Sequence, residues 1–304
     1  MSRLANTQST ADPPPPTSAD VARLTKLSRS YTGIELGNQK SEFIRSRLQE
    51  HVRRLGLQSY SEYCARLECA DAHQERLEFK HAVTTNTTHF FREAAQFDWL
   101  LQDGIAGMIG TGAGRAWDLT IWSAACSTGQ ELYSALMTLD AGTKSESVRY
   151  RGIGTDISSS VLQMASRAVY GKNEVIKIPK EYRPAYLLSS KSSDEIYRIV
   201  PKLREKAEWK ETNLIDHSAI QGIHADIVFL RNVLIYFDTT TQETVLDNVL
   251  SKLRCGGFLL TGHTETNCLR LRELRAIQPT IYQKGSFLIP KKASFTRSLQ
   301  PVRS

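Results

Sequence analysis

Apolar and polar positions change rhythm along this chain of 304 residues. From about residue 21 to 83 the rhythm is helical. Ile44, Leu48, Val52 and Leu55 recur at spacings of four, four and three, one face of a helix that Gly56 stops. A further helix begins with Ser59 to Leu67, with Tyr60, Tyr63 and Leu67 on its apolar side. From about Ala116 short apolar runs alternate with amphipathic stretches. They predict strand 119–123, helix 130–139, strand 148–155 and helix 158–168, then strand 226–230, helix 240–253 and strand 258–261, with a last pair of strands over about 274–287. Strands alternating with helices predict a doubly wound parallel sheet, an α/β fold. Regularity weakens from 186 to 212, where Ile196-Tyr197-Arg198-Ile199-Val200 alternates like a short strand, and a small antiparallel β insertion is predicted there.

These rhythms divide the chain. Residues 1–20, with Pro13 to Pro16, are too polar and proline-rich to build a core and read as a disordered tail. Residues 21–83 form an N-terminal all-α domain, 84–115 a linker and helix, and 116–289 the α/β domain carrying the 186–212 insertion. Residues 290–304 make a basic tail with Lys291, Lys292, Arg297 and Arg303. No uncharged run approaches transmembrane length, and the N-terminus lacks a signal-peptide hydrophobic region, so a cytoplasmic protein without membrane insertion is expected. A monomer is expected as well. The five cysteines (Cys64, Cys69, Cys126, Cys255, Cys268) include no CxxC pair, which argues against a disulfide framework or a zinc site. A net charge of +7 favours an acidic partner but leaves nucleic acid, anionic membrane and a glutamate-rich protein surface open.

Candidate chemistry concentrates where the strand ending at Ser123 breaks into small residues and resumes as a helix. Ligands of doubly wound domains sit at the carboxyl ends of the strands, and small residues let the backbone approach them. A phosphate cradle would place a lysine or bare N–H groups at the helix start. Here Glu131 stands after Gly129 and would repel phosphate, while suiting hydroxyl or ammonium groups. Asp156 ends the next strand, where an acid accepts hydrogen bonds from both ribose hydroxyls. The ligand these acids fit is a nucleoside without phosphates, and S-adenosylmethionine fits best.

Five ordered motifs carry a family resemblance. Thr84-Thr85-Asn86-Thr87-Thr88-His89-Phe90-Phe91-Arg92 resembles the signature TTNxTxFFR, and Trp122 to Ser134 resembles WSAxxSTGEEPYS. Gly154-Thr155-Asp156-Ile157 is similar to the family's strand-end acid, Arg231 to Asp238 to RNVxIYFD, and Gly262-His263-Thr264-Glu265 to GHSE. The chain thus resembles the CheR-type methyltransferases, which methylate glutamates of bacterial chemotaxis receptors. The resemblance covers about residues 25–290 and includes Thr32-Gly33-Ile34 and Lys40 through Arg54 in the helical domain.

The resemblance implies a class I S-adenosylmethionine-dependent methyltransferase with a Rossmann-like sheet. Asn86, Thr88 and Arg92 would touch the cofactor or its methyl group, Glu131 and Asp156 would hold its polar groups, Asn213 and Leu214 would flank its adenine, and Arg231 and Asn232 would close the pocket. Arg92 and Tyr236 would lie nearest the transferring methyl. The partner implied is the cytoplasmic domain of a chemotaxis receptor, whose acidic helices suit the basic helix face of Arg45, Arg47, Arg53 and Arg54, with Glu50 the acid among them. Two positions depart from the family: Gln130 replaces an acid and Leu132 a proline. The insertion also lacks the glycine-x-glycine turn of members that bind a receptor's C-terminal peptide, so the resemblance implies no such tether.

A glutamate is already ionised at neutral pH, with a reference pKa of ~4.3, so its methylation needs positioning rather than a general base. A dry pocket walled by Phe90, Phe91 or Phe237 would favour cancellation of opposite charges. Blander readings exist. Arg92 and Arg231 could be structural ion pairs, Tyr236 and Phe90-Phe91 could be core, His89 and His263 suit structural roles, and Cys126 has no base beside it. Two other functions compete. A nucleic-acid methyltransferase would carry an Asn/Asp-Pro-Pro-aromatic loop or paired cysteines after Leu230, which this chain does not. A non-catalytic S-adenosylmethionine-binding adaptor would not need Arg92 and Tyr236.

Overall fold

The computed structural model describes residues 12–36, 40–84, 87–144, 147–190, 195–268 and 274–285. Four helices open the chain: α1 (Ser18–Thr32), α2 (Lys40–Arg54), α3 (Tyr60–Glu68) and α4 (His73–Val83). Thr17 and Asp20 close a reciprocal capping box, Asp20 N–H donating to Thr17 Oγ1 and Thr17 N–H to Asp20 Oδ2. Among the described residues, regular structure therefore begins at Ser18, inside the stretch expected to be a tail. Ile44, Leu48 and Val52 are buried as their spacing predicts, against Leu24, Tyr60, Tyr63, Leu67 and Phe79. This core extends beyond the helices, since Tyr236 and Phe237 of the second domain pack against it.

Two short helices, α5 (Ala95–Trp99) and α6 (Ile105–Gly110), are joined by a π-helical turn and lead into the sheet domain. There the chain runs β1 (Leu119–Ser123), α7 (Gln130–Gly142), β2 (Tyr150–Asp156) and α8 (Ser159–Arg167). Next come β3 (Val169–Gly171), α9 (Lys172–Val175), α10 (Arg183–Tyr186), β4 (Leu187–Ser189), β5 (Ile196–Ile199) and α11 (Pro201–Arg204). It continues through β6 (Ala207–Glu211), β7 (Ala225–Leu230), α12 (Thr239–Lys252), β8 (Leu253–Thr261), β9 (Leu274–Gln278) and β10 (Ile281–Lys284).

The main sheet has the order β6-β2-β1-β7-β8-β10-β9, parallel from β6 to β8 and antiparallel at the β8-β10-β9 edge. Its side chains alternate between two cores. Ile121, Ile227, Phe229 and Leu260 face α7, whereas Trp122, Val228, Leu230 and Leu259 join the residues of α12. The chain steps from β1 to β2 on one side and returns at β7 on the other. This reversal opens a crevice at the carboxyl ends of β1, β2 and β7.

The insertion is larger than its sequence suggests and is displaced. Its three-stranded sheet, in the order β3-β5-β4, starts at Val169, while Ala207–Glu211 belongs to the main sheet as the parallel neighbour of β2. A three-residue strand such as β3 is too short to display an alternation, so the sequence pattern shows the insertion only from about residue 186.

Candidate active site

The crevice becomes a site because the loop from β1 to α7 is laced to both neighbouring strands. Ala124 N–H donates to Phe229 O at 2.8 Å and Cys126 N–H to Thr155 O at 2.9 Å. Gly129 turns the chain into α7 at φ +93°, where an added Cβ would also lie 2.8 Å from that of Ala165. Ala124, Ala125 and Ser127 line the resulting cleft, which is partly open to solvent.

Two acids face it. Asp156 is 9% exposed and accepts Ser127 N–H at 2.9 Å and Ser158 N–H at 3.0 Å, one on each carboxylate oxygen. Burial nevertheless pushes its pKa up, against the pull of those N–H groups. Glu131, in the first turn of α7, accepts Ser123 Oγ–H at 2.6 Å and meets Arg231 at 3.3 Å. Burial raises its pKa as well, with Arg231 and Ser123 opposing. Arg231 is 5% exposed, lies 3.4 Å from Glu93, donates to Arg92 O at 2.5 Å and stands over the Phe97 ring. It is therefore a buried ion-pair hub as well as a wall of the cleft.

The opposite wall is the turn after β7. Asn232 adopts the left-handed conformation at φ +57°, which costs energy unless its surroundings hold it. Glu265, wholly buried, supplies the hold. Its carboxylate accepts the N–H groups of Asn232, Val233 and Leu234 at 2.7 Å each and that of Gly262 at 2.8 Å. Gly262 is needed for this approach, since a Cβ there would meet Glu265 Oε2 at 2.8 Å. Beyond β6, Asn248 of α12 donates to Leu214 O and Ile215 O at 2.9 Å and so fixes Asn213 and Leu214.

Thr88, Arg92, Glu131, Asp156, Asn213, Leu214, Arg231, Asn232 and Tyr236 all line this cleft, so the structure brings these predicted residues together. Asn86 lies outside the described residues. Phe237 lines the cleft, but Phe90 and Phe91 do not. Phe90 packs on Tyr170 and Phe91 on Phe97 and Tyr182, beneath the sheet's α7 face. The dry wall expected of them is therefore core. Cys126 is buried, with its thiol pushed well up by desolvation, as befits a packing residue. Gln130, at the family's acid position, donates to Glu174 Oε1 at 2.9 Å and ties α7 to the insertion.

Arg45, Arg47, Arg53 and Arg54 lie away from the cleft on exposed α2. Arg53 pairs with Asp12 at 2.7 Å and Glu50 at 3.4 Å, and Arg54 pairs with Glu78. The one-sided face read from α2 alone is thus partly neutralised from other elements. Sequence reasoning also left Glu93, Ser123 and the role of Glu265 unassigned. The signal available for Glu265 was a glutamate just after a buried strand, which has to find donors.

The cleft fits a nucleoside bearing hydroxyl and ammonium groups. A carboxylate has about four acceptor directions, so Asp156 retains capacity beyond its two backbone donors. No helix among the described residues is long and apolar enough to cross a membrane, and no group of metal-ligating side chains occurs among them.

A doubly wound sheet with Glu131 in the first turn of α7, Asp156 at the carboxyl end of β2 and small residues between them has the architecture of a class I S-adenosylmethionine-dependent methyltransferase. Comparison with known proteins gives the particular kind. Residues 86–279 match the family model of the CheR methyltransferase SAM binding domain, and residues 19–84 that of the CheR methyltransferase all-alpha domain. The chain belongs to the CheR methyltransferase family. It is 31% identical over 278 residues to the chemotaxis protein methyltransferase of Borreliella burgdorferi, covering 88% of this chain and 95% of that one. The chemotaxis protein methyltransferase of Salmonella typhimurium is 31% identical over 265 residues, covering 87% and 89%. Chemotaxis protein methyltransferase 2 of Pseudomonas aeruginosa is 32% identical over 252 residues, covering 83% and 88%.

Proposed function

We propose that this protein methylates glutamate side chains in the cytoplasmic domain of a chemotaxis receptor, forming methyl esters in sensory adaptation. The observation that carries this is one cleft holding two acids, the buried Asp156 and the largely covered Glu131, for the cofactor and a cationic side, Arg92, for an anionic substrate. S-adenosylmethionine, when bound, supplies an electrophilic methyl group on a sulfonium. Asp156 would accept hydrogen bonds from ribose hydroxyls and Glu131 would hold a polar group, while Asn213 and Leu214 would border the adenine.

The remaining chemistry is positioning. The substrate carboxylate is ionised at neutral pH and needs no base. Arg92 would orient it with its planar fork, and the Tyr236 hydroxyl would donate to it. Arg92 is itself steadied, its Nη1 donating to Thr87 O at 3.1 Å. The segment after Leu230 lacks the Asn/Asp-Pro-Pro-aromatic loop of base-modifying enzymes, which favours a carboxylate over nucleic acid. Arg45 and Arg47, with Arg53 and Arg54 beside them, would attract the acidic helices of the receptor. A cytoplasmic location follows from such a substrate.

The test is transfer of tritium from labelled S-adenosylmethionine to a panel of receptor cytoplasmic fragments. Label released by mild alkali marks a carboxyl methyl ester. Alkali-stable label, or label on RNA alone, would overturn the assignment, and cofactor binding with no transfer to any acceptor would favour an adaptor.

A further inference from the structure

The helical domain reaches the cofactor acid through one histidine. His81 lies in the last turn of α4, and its Nδ1 is 3.1 Å from Ser158 Oγ and 3.1 Å from Ser160 Oγ, which are themselves 2.9 Å apart. Ser158 begins the turn from β2 into α8 and is 3% exposed. It stands at the N-cap of α8 in an extended conformation, where a serine hydroxyl ordinarily accepts an N–H of the first helical turn. Here the hydroxyl makes no such bond. It is turned instead toward His81 and Ser160, while the backbone N–H of the same residue donates to Asp156 Oδ1 at 3.0 Å. Two hydrogen bonds joined through the covalent frame of Ser158, one at its hydroxyl and one at its N–H, thus connect α4 to the carboxylate at the end of β2.

The surrounding seam is close enough to make this link stiff. Gly33, at the end of α1, approaches the second domain so nearly that a Cβ would fall 2.0 Å from Ile215 Cδ1. Glu35 N–H donates to Tyr236 O at 3.1 Å, and Arg29 pairs with Asp238. Those contacts brace the wall made by the turn after β7. His81 braces the other wall, next to the acid itself. Thr84, whose Oγ1 donates to His81 O at 2.8 Å, also lines the cleft.

We infer that His81 is a positioning residue for the cofactor: through Ser158 and Ser160 it fixes the Asp156 carboxylate, which makes cofactor affinity a property of the docked pair of domains. This rests on the reading of Asp156 as the ribose acid. A buried acceptor set for two hydroxyls gains from being held at one angle, because a carboxylate free to swing must be ordered at binding. The hydroxyl of Ser158 is the handle and His81 the hand on it.

The experiment uses the full chain and follows binding of S-adenosylhomocysteine by calorimetry, with KM and kcat for S-adenosylmethionine and ligand-free melting recorded alongside. His81→Ala is expected to weaken binding and raise KM about five- to tenfold, the worth of one hydrogen bond, while kcat at saturating cofactor changes less than about twofold. His81→Asn, whose amide places a polar atom near the Nδ1 position, should recover most of the loss. His81→Gln, which matches the Nε2 end, should not. Ser158→Ala keeps the backbone donor to Asp156 and should copy His81→Ala, and the double variant should be no worse than either single one. Additive losses, or equal losses in His81→Ala and His81→Asn, would overturn the inference. So would normal affinity in His81→Ala, provided that Asp156→Ala has lost binding. If Asp156→Ala also binds normally, the cofactor reading itself falls. Should His81→Ala not fold, Ser158→Ala and His81→Asn still decide the outcome.

Discussion

The guanidinium of Arg231, itself buried, stands 3.3 Å from the largely covered carboxylate of Glu131 at the head of α7. The same cation lies 3.4 Å from Glu93, so one arginine serves two withdrawn acids on different elements. Removing one partner of a buried pair commonly costs about 3–5 kcal/mol, because the remaining charge stays buried. Arg231→Ala should therefore destabilise the ligand-free protein by roughly that amount. Glu131→Gln should cost much less, since the amide oxygen can still accept from Ser123 and Arg231 keeps Glu93. Urea unfolding of the two variants checks this, and equal losses would show that Arg231 is not the strut.

Cofactor binding should weaken in mild acid. Burial raises the pKa values of both Glu131 and Asp156 in the folded, ligand-free protein. Hydrogen bonds donated by a ligand favour the ionised form, so binding selects the deprotonated acids. Affinity is then flat above the raised values and falls as pH drops through them, beginning above the ordinary carboxylate range of ~3.9–4.3. For stability the sign is opposite to that of a salt-bridged acid. With folded pKa values raised, the favourable contribution exists at low pH and is lost as pH rises through them, so the neutral ligand-free protein carries the burial cost. The thermal shift produced by S-adenosylhomocysteine should shrink as pH falls toward the ordinary carboxylate range of ~3.9–4.3, and a shift that stays constant through that range would contradict these directions.

Arg92→Ala should reduce turnover far more than cofactor affinity, on the order of a hundredfold if the substrate carboxylate loses its aim. Lysine should rescue poorly, lacking the planar fork. Steady-state kinetics paired with calorimetry separates the two effects. Equal losses in rate and cofactor affinity would make Arg92 a cofactor ligand instead.

On the helical domain, Arg45 and Arg47 are the cleaner probes of receptor attraction. Reversing both to Glu should lower kcat/KM for the receptor about tenfold at low salt, mainly through slower association. The deficit should vanish toward 1 M salt, where screening acts within ~3 Å, and cofactor affinity should not change. Reversing Arg53 and Arg54 instead sets new carboxylates beside Asp12, Glu50 and Glu78, so local repulsion adds to any loss. Normal methylation by the Arg45/Arg47 variant at low salt would leave this face as ordinary solvated helix.

What the sequence revealed follows from the range of the interactions involved. The strands ending at Ser123, Asp156 and Leu230 were readable from local apolar runs, and with them the positions of Glu131, Asp156, Arg231 and Asn232 on the cleft. The α2 face was readable because its period is local. Features made by distant partners were not. Glu78 neutralises Arg54 from 24 residues away, and Ser158 finds His81 across 77. Of the two places open to Phe90 and Phe91, pocket wall and core, the structure takes the core, on a backbone that turns through φ +53° at Phe91 and +59° at Glu93, a reversal that no periodicity announces. The insertion was misplaced for a similar reason, its first strand being three residues long and paired with one that lies beyond residue 195.

Glu265 is also a matter of timing. The turn it gathers, from Asn232 to Leu234, precedes it by 31 to 33 residues, and all of β8 lies in between. A nascent chain that has just passed Leu234 already contains both cofactor acids and the arginines of the cleft. It still lacks the carboxylate that makes the left-handed turn at Asn232 affordable. The wall of the cleft can therefore set only when residue 265 has emerged and β8 has been laid beside β7. Synthesis proceeds from the N-terminus, so the helical domain and the first half of the sheet can be in place before the pocket is competent. The pocket is thus completed late in synthesis, well after both of its acids.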